Sequence, residues 1–167
     1  MPHIRPETSS DIDAIRQLTV QAFAGQAHSN QTEHLLIDAL REASALSVSL
    51  VAEQNGEIIG HIAFSRVRID GADCGWFGLA PISVLPQYQR QGIGSALIAA
   101  GLTRLDKLDA QGCVVLGDPA YYRRFGFRPY PGLILDDVPA DYFMAHPATD
   151  ICPQGRVSFH PAFALCD

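Results

Sequence analysis

The stretch "VLPQYQRQGIGSALIAAGL", Val84 to Leu102, begins as an apolar strand, turns at Pro86, crosses a polar patch with two glycines and continues at helical spacing. Gly92 and Gly94 remove side chains where the loop enters the helix, so the backbone amides of Gln89 to Ser95 are free to close on a diphosphate. Unpaired donors and the macrodipole at a helix N-terminus favour an anion whatever the net charge of the protein. A Walker phosphate loop is excluded because the GK[ST] ending is absent, and a dinucleotide fold wants GxGxxG behind an early strand. Taken alone, two glycines also read as a device for close helix packing.

Outward from this stretch, the spacing predicts a chain that alternates short strands and helices. Towards the N-terminus, Val48, Leu50 and Ala52 alternate with Ser47, Ser49 and Val51, Asn55-Gly56 supplies the positive φ angles of a tight turn, and a long strand follows from Glu57 to about Ile69. "CGWFGLAPISVL", Cys74 to Leu85, returns as a third antiparallel strand. Pro81 within it cannot donate to a ladder, so a bulge or a break in pairing is expected there. Earlier still, Ser10 reads as the cap of a helix from Asp11 to Phe23, a second helix spans Thr32 to Glu42, and the loop Ala24 to Asn30 between them is placed to approach a ligand.

On the other side, Ile93, Leu97, Ala100, Leu105 and Leu108 continue the helix, and the apolar "CVVLG", Cys113 to Gly117, follows as a buried strand. Strand, helix and buried strand form a crossover unit with parallel pairing. A short helix over Pro119 to Phe125 ends at Gly126, a strand starts at Phe127, and a late strand covers Arg156 to Phe159. The fold class is therefore α/β, a mixed and mostly antiparallel sheet flanked by helices, in one domain over 1–167 with 131–167 as a C-terminal extension.

Composition bounds the function. With 12 basic and 18 acidic residues the formal charge is −6, which argues against a nucleic-acid partner, since such proteins cluster basic residues on one face. No apolar run approaches the roughly 20 residues of a membrane-spanning helix. Met1 to Arg16 holds no apolar signal core, and Cys74, Cys113, Cys152 and Cys166 show neither a CxxC pair nor a metal-ligand spacing, so no metal and a cytoplasmic location are expected.

The segment "SVLPQYQRQGIGSALI" resembles the coenzyme A signature of the GNAT superfamily of acyl-CoA N-acyltransferases, with Val84, Pro86, Gln89, Gly92 and Gly94 at the motif positions. The order of elements up to about Tyr130 is similar to that fold, and "GDPAYYRRFGFRPY", Gly117 to Tyr130, is similar to the YhbS-like branch of bacterial acetyltransferases. The resemblance implies an acetyl-CoA cleft between two splayed central strands. There the backbone of Ile82, Ser83 and Val84 would bond the pantetheine arm. Gln89, Arg90, Gln91, Gly92, Ile93, Gly94 and Ser95 would hold the pyrophosphate, with Arg90 as a charged contact. It implies direct attack in a ternary complex by a primary amine, which belongs to a small molecule, a peptide N-terminus or a lysine, on a protein that is a monomer or a homodimer.

Acyl transfer to an amine needs a neutral nucleophile, stabilisation of an oxyanion and a proton for the departing thiolate. Tyr122 sits at the family's position for that acid, while Tyr121, Phe125 and Phe127 read as an aromatic packing cluster. Many members carry Asn before this helix, whereas this chain has Gly117-Asp118-Pro119, where Asp118 reads as a helix cap. The general base is not legible: His61 and Ser65 share a strand face, and Glu33 and His34 fall in the acceptor loop. Arg123 and Arg124 read as a solvated face, with contact to the cofactor phosphates as the lesser alternative, and Cys113 as an inert core thiol. A non-catalytic acyl-CoA-binding or sensing module on the same fold, and a structural domain with no ligand, are the alternatives at this stage.

Overall fold

The computed structural model describes residues 1–166. Its central hairpin is the one that Asn55-Gly56 encodes: φ is 53° and 79° at these residues, joining strands β2 (Val48–Gln54) and β3 (Glu57–Arg66). β2 is flanked by the antiparallel β1 (His3–Pro6), and β3 by β5 (Trp76–Val84). Helix α3 (Ile93–Lys107) then crosses to β6 (Gly112–Leu116), parallel to β5, and β8 (Phe143–Pro147) closes the sheet antiparallel to β6. The order is β1-β2-β3-β5-β6-β8, mixed and mostly antiparallel, as expected.

Each face of the sheet is covered for a sequence reason. On one face α3 lies against β3, and it comes so close because Gly101 leaves room for the Phe64 ring: a Cβ there would lie 2.3 Å from it. Phe64, Leu97 and Ile98 are fully buried in this layer, at about 1.5–3 kcal/mol each relative to exposure. On the other face α1 (Ile12–Phe23) and α2 (Glu33–Glu42) bring Ile15 and Ile37 onto Val51. A small second sheet, order β4-β9-β7, joins β4 (Arg68–Ile69), β9 (Gly155–Ser158) and β7 (Leu133–Ile134) around Val67, Trp76 and Val157.

Two features open the sheet in its middle. Ile62 faces Ile82 and Phe64 faces Leu79, so Ala80 and Pro81 together oppose Ala63, the bulge that Pro81 requires. Beyond Gly78, β5 leaves β6: their pairing covers only Trp76 to Gly78 against Gly112 to Val114. From Leu79 to Val84 that edge of β5 faces a cleft.

Several boundaries differ from the sequence reading. Thr8, not Ser10, caps the first helical segment, in a capping box with Asp11. The strand expected to run to Ile69 ends at Arg66, and Arg68–Ile69 changes partner to β9 because Ile69 is buried in the second cluster. No strand starts at Phe127: Arg128 makes a single bridge to Ala145, and Pro129, lacking an N–H, stops it from growing. The segment beyond residue 131 supplies β8 to the main sheet and most of the second sheet.

Candidate active site

The cleft where β5 and β6 separate has a volume of about 1000 Å³. Its floor is Leu79 to Val84 of β5, its walls include Phe23 and Leu36 from the first two helices, and Phe159 and Phe163 from the C-terminal segment close the far side. Ile82, Ser83 and Val84 therefore stand at the open strand edge. A second hollow, about 490 Å³, continues from Ile82 and Val84 around the start of α3.

This hollow is built from the opening stretch. Arg90 and Gly92 have φ of 63° and 85°, which turns the loop into α3. Only glycine adopts such a φ without strain, and a Cβ at Gly92 would meet no atom within 4 Å, so the space above it is open. Among the described residues, no backbone carbonyl accepts from the amides of Arg90 to Ser95. Gln89, Arg90, Gly92, Ile93, Gly94 and Ser95 line the hollow, whereas Gln91 does not: its side chain bonds back to the Gln87 carbonyl at 3.3 Å. No carboxylate lines it, and two arginines do, Arg90 and Arg124. These free donors and cations fit a diphosphate despite the negative charge of the chain.

Sequence reasoning missed Tyr121 and gave Arg124 only a minor reading as a contact to the cofactor phosphates. The Tyr121 hydroxyl would lie 3.0 Å from a Cβ at Gly94, and the Arg124 guanidinium stacks 4.6 Å from the Tyr121 ring centre, so both border the hollow. The i, i+3 spacing of Tyr121 and Arg124 on a helical turn was the available signal.

Tyr122 lines the large cleft. Helix α4 (Pro119–Tyr122) is started by Asp118, whose carboxylate accepts from the Ala120 amide at 3.0 Å, and Gly126 at φ 94° ends the following 3-10 turn. The ring packs edge-on to Tyr121 and Phe127, with centroids 5.1 and 5.9 Å away. Burial pushes the phenol up to about 12, with smaller contributions from Tyr121 and Cys113, so it keeps its proton at neutral pH. Burial likewise raises the Cys113 thiol and keeps it inert.

The candidate bases are separated by the fold. Glu33 reaches the cleft, with both oxygens held by the Ser29 hydroxyl at 2.7 and 2.8 Å, whereas His34 does not line it; of the loop Ala24 to Asn30, Gln26 lines the cleft. His61 and Ser65 share the sheet face under α1 and α2, both fully buried. Burial holds His61 down at about 4, with Glu7 opposing and Arg41 adding to the shift. Among the described residues no group of His, Cys, Asp and Glu is arranged to hold a metal ion, and no helix is long and apolar enough to cross a membrane.

The sequence from 45 to 129 matches the model of the acetyltransferase (GNAT) domain. The chain is 39% identical over 126 residues to the uncharacterised N-acetyltransferase YhbS of Escherichia coli K12, covering 75% of this chain and 72% of that protein. Identity to the YjhQ N-acetyltransferase of the same organism is 36% over 125 residues, 74% and 67% of the two chains. A GNAT family acetyltransferase from Brucella melitensis, solved with acetyl-CoA, superimposes with a TM-score of 0.88 at 49% identity over 98% of both chains. Escherichia coli YhbS, solved with CoA, gives 0.90 at 33% identity, covering 98% of this chain and 92% of that one.

Proposed function

From the premise that this chain belongs to the GNAT acetyltransferase family and is an N-acetyltransferase, we propose that it moves an acetyl group from acetyl-CoA to a primary amine by direct attack in a ternary complex. Bound acetyl-CoA supplies the activated thioester. The amides of Arg90 to Ser95, with Arg90, hold the pyrophosphate at the start of α3, and Gln89 borders it. Arg124 and Tyr121 extend that grip from the opposite wall. The open edge of β5 at Ile82 to Val84 bonds the extended pantetheine arm as a missing neighbour strand would. This orients the thioester towards the junction with the large cleft, where the amine enters.

The observation that carries the reading is the phenol of Tyr122, fully protonated at neutral pH, in the wall of the cleft that opens where β5 leaves β6. There it donates its hydrogen to the departing thiolate. Its high value keeps the acid form available across the working pH range, and the apolar walls strengthen each hydrogen bond formed within them.

The test is free-thiol release from acetyl-CoA with an acceptor panel: 2-phenylethylamine, spermidine, a lysine ester and a short peptide with a free N-terminus. Amine-dependent release with at least one acceptor is expected. CoA binding by calorimetry without release for any amine class would overturn transfer to a primary amine.

A further inference from the structure

A second line of polar groups runs across the strands on the sheet face under α1 and α2. Arg41 of α2 grips Glu7, which follows β1, with Nε 3.1 Å from Oε2 and Nη2 2.9 Å from Oε1. The Ser49 hydroxyl donates to Oε1 of Glu7, and Nε2 of His61 lies 2.8 Å from the Ser49 oxygen. This arrangement fixes the histidine tautomer. A carboxylate paired with arginine only accepts, so Ser49 gives Glu7 its one hydrogen and receives another from His61 Nε2–H. The lone pair of the ring is therefore on Nδ1.

That nitrogen is buried and has no partner among the described residues, and neither has the Ser83 hydroxyl. His61 and Ser83 are cross-strand partners between β3 and β5, at 0% and 3% exposure. Such pairs place their Cβ atoms about 4.5–5.5 Å apart, a gap that one serine rotamer or one bridging water closes. Ser83 also lines the cleft. Two unpaired polar groups facing one another in a buried sheet are a cost that apolar residues of similar size would avoid.

We propose that Ser83, His61, Ser49 and Glu7 form a proton path, which takes the hydrogen shed by the acceptor amine in the cleft to the Glu7–Arg41 pair at the β1 edge of the same sheet face. The proposal rests on the acyl-transfer reading above. Ser83 is the member of the line that borders the cleft, its hydroxyl buried beside the strand edge until it rotates towards the bound amine, and His61 is a positioning residue acting through it. Ser83 passes its hydroxyl hydrogen to Nδ1 as it takes one from the amine, Nε2–H passes to Ser49, and Ser49 passes its own to Glu7. The Glu7 side chain is 16% exposed and releases the hydrogen to water, so every link gains one proton and loses one. The line resets when a hydrogen returns along it in the opposite sense, from water at Glu7 through Ser49 and the ring to Ser83 and the cleft, where the phenolate left by Tyr122 takes it up.

The path does not need a charged imidazole. The charges acting on His61 are Glu7, from the segment after β1, and Arg41, from α2. β2 presents Ser49 and Val51, β5 presents Ser83, and the buried residues of α1 are Ile15, Leu18, Thr19 and Ala22, none of which titrates near neutral pH.

Two measurements decide it. Nitrogen NMR of the full chain with labelled histidine reads the ring directly, with and without CoA: a bare Nδ1 and a protonated Nε2 at neutral pH are expected, and Ser49→Ala should blur that preference. A hydrogen resident on Nδ1 overturns the path, whatever the activity. In steady-state kinetics with an amine that the panel shows to be acetylated, Ser83→Ala keeps the strand backbone and should lower kcat at least tenfold at neutral pH, with KM for acetyl-CoA unchanged. The loss should shrink as pH rises and the amine arrives already neutral. Ser83→Thr, which retains the hydroxyl, should restore most of the rate, and His61→Leu should reproduce the pH-dependent loss. A uniform loss at all pH values, or a loss that threonine fails to restore, assigns these residues to packing and overturns the proposal. If no amine is acetylated, the acyl-transfer reading falls, while the ring nitrogens still report on the path.

Discussion

At Gly117 the chain passes so close to Tyr122 that an added Cβ would lie 2.5 Å from the ring. The glycine in the loop before α4 is therefore tied to where the phenol stands, since a methyl group must move either the ring or the loop. Gly117→Ala should leave CoA affinity by calorimetry within twofold and lower kcat roughly tenfold, because only the acid is displaced; unchanged kcat would show that the ring position is not critical. Tyr122→Phe isolates the proton itself. The edge-on contacts with Tyr121 and Phe127 survive in phenylalanine, so kcat should fall by roughly a hundredfold with CoA binding nearly unchanged. A variant with full kcat would leave Tyr122 as a packing residue. The residue type and motif position of Tyr122 were legible in the sequence. Their i, i+3 spacing shows that Tyr121 and Arg124 share a helical face, but not that this face folds back onto the start of α3, 28 residues before Tyr121.

The start of α3 separates two effects that the motif merges. Gly92 is strained for any side chain because its φ is 85°, although the space around it is open; Gly94 is helical, and its limit is the Tyr121 hydroxyl 3.0 Å from a Cβ. Gly92→Ala should thus lower stability by about 1 kcal/mol in urea titration, as the left-handed region disfavours a β-carbon. Gly94→Val should instead act on the ligand, weakening CoA at least tenfold, about 1.4 kcal/mol, with the melting temperature little changed. Equal CoA affinity in Gly94→Val and the parent would make close packing the reason for that glycine. At the element scale the hairpin, α3 and the bulge at Pro81 follow from turn chemistry and period, which are local. The β8 strand did not, because "FMAHP" is short, ends in proline and shows no alternation, so its pairing with β6 comes from a partner about 30 residues away.

Across the whole molecule, buried polar groups set how the fold responds to acid. His61 is held neutral down to about pH 4 in the folded chain, against an ordinary value near 6.5 in the unfolded one. The unfolded state therefore binds a proton first, and stability is full above about pH 6.5 and falls by about 3 kcal/mol as pH drops to 4. Asp11, held at about 2 chiefly by its hydrogen bond to Arg5 at 2.7 Å, extends the loss into a lower window, between its ordinary value near 4 and 2. Urea titrations at pH 7 and about pH 4.5 should show the first loss, and His61→Leu should flatten it; an acid limb that is identical in the variant would remove His61 as its cause. What the sequence determined by itself is what local physics controls. Asn55-Gly56 dictates a hairpin, the repeat from Ile93 dictates a helix, and Gly92 opens its N-terminus. Only the tertiary structure decided that β5 and β6 part after Gly78, that the C-terminal segment walls the cleft, and that Glu7, Ser49, His61 and Ser83 align across three strands. Those relations depend on register between segments distant in the chain, and a hydrophobic period reports which way a residue faces without reporting what it will face.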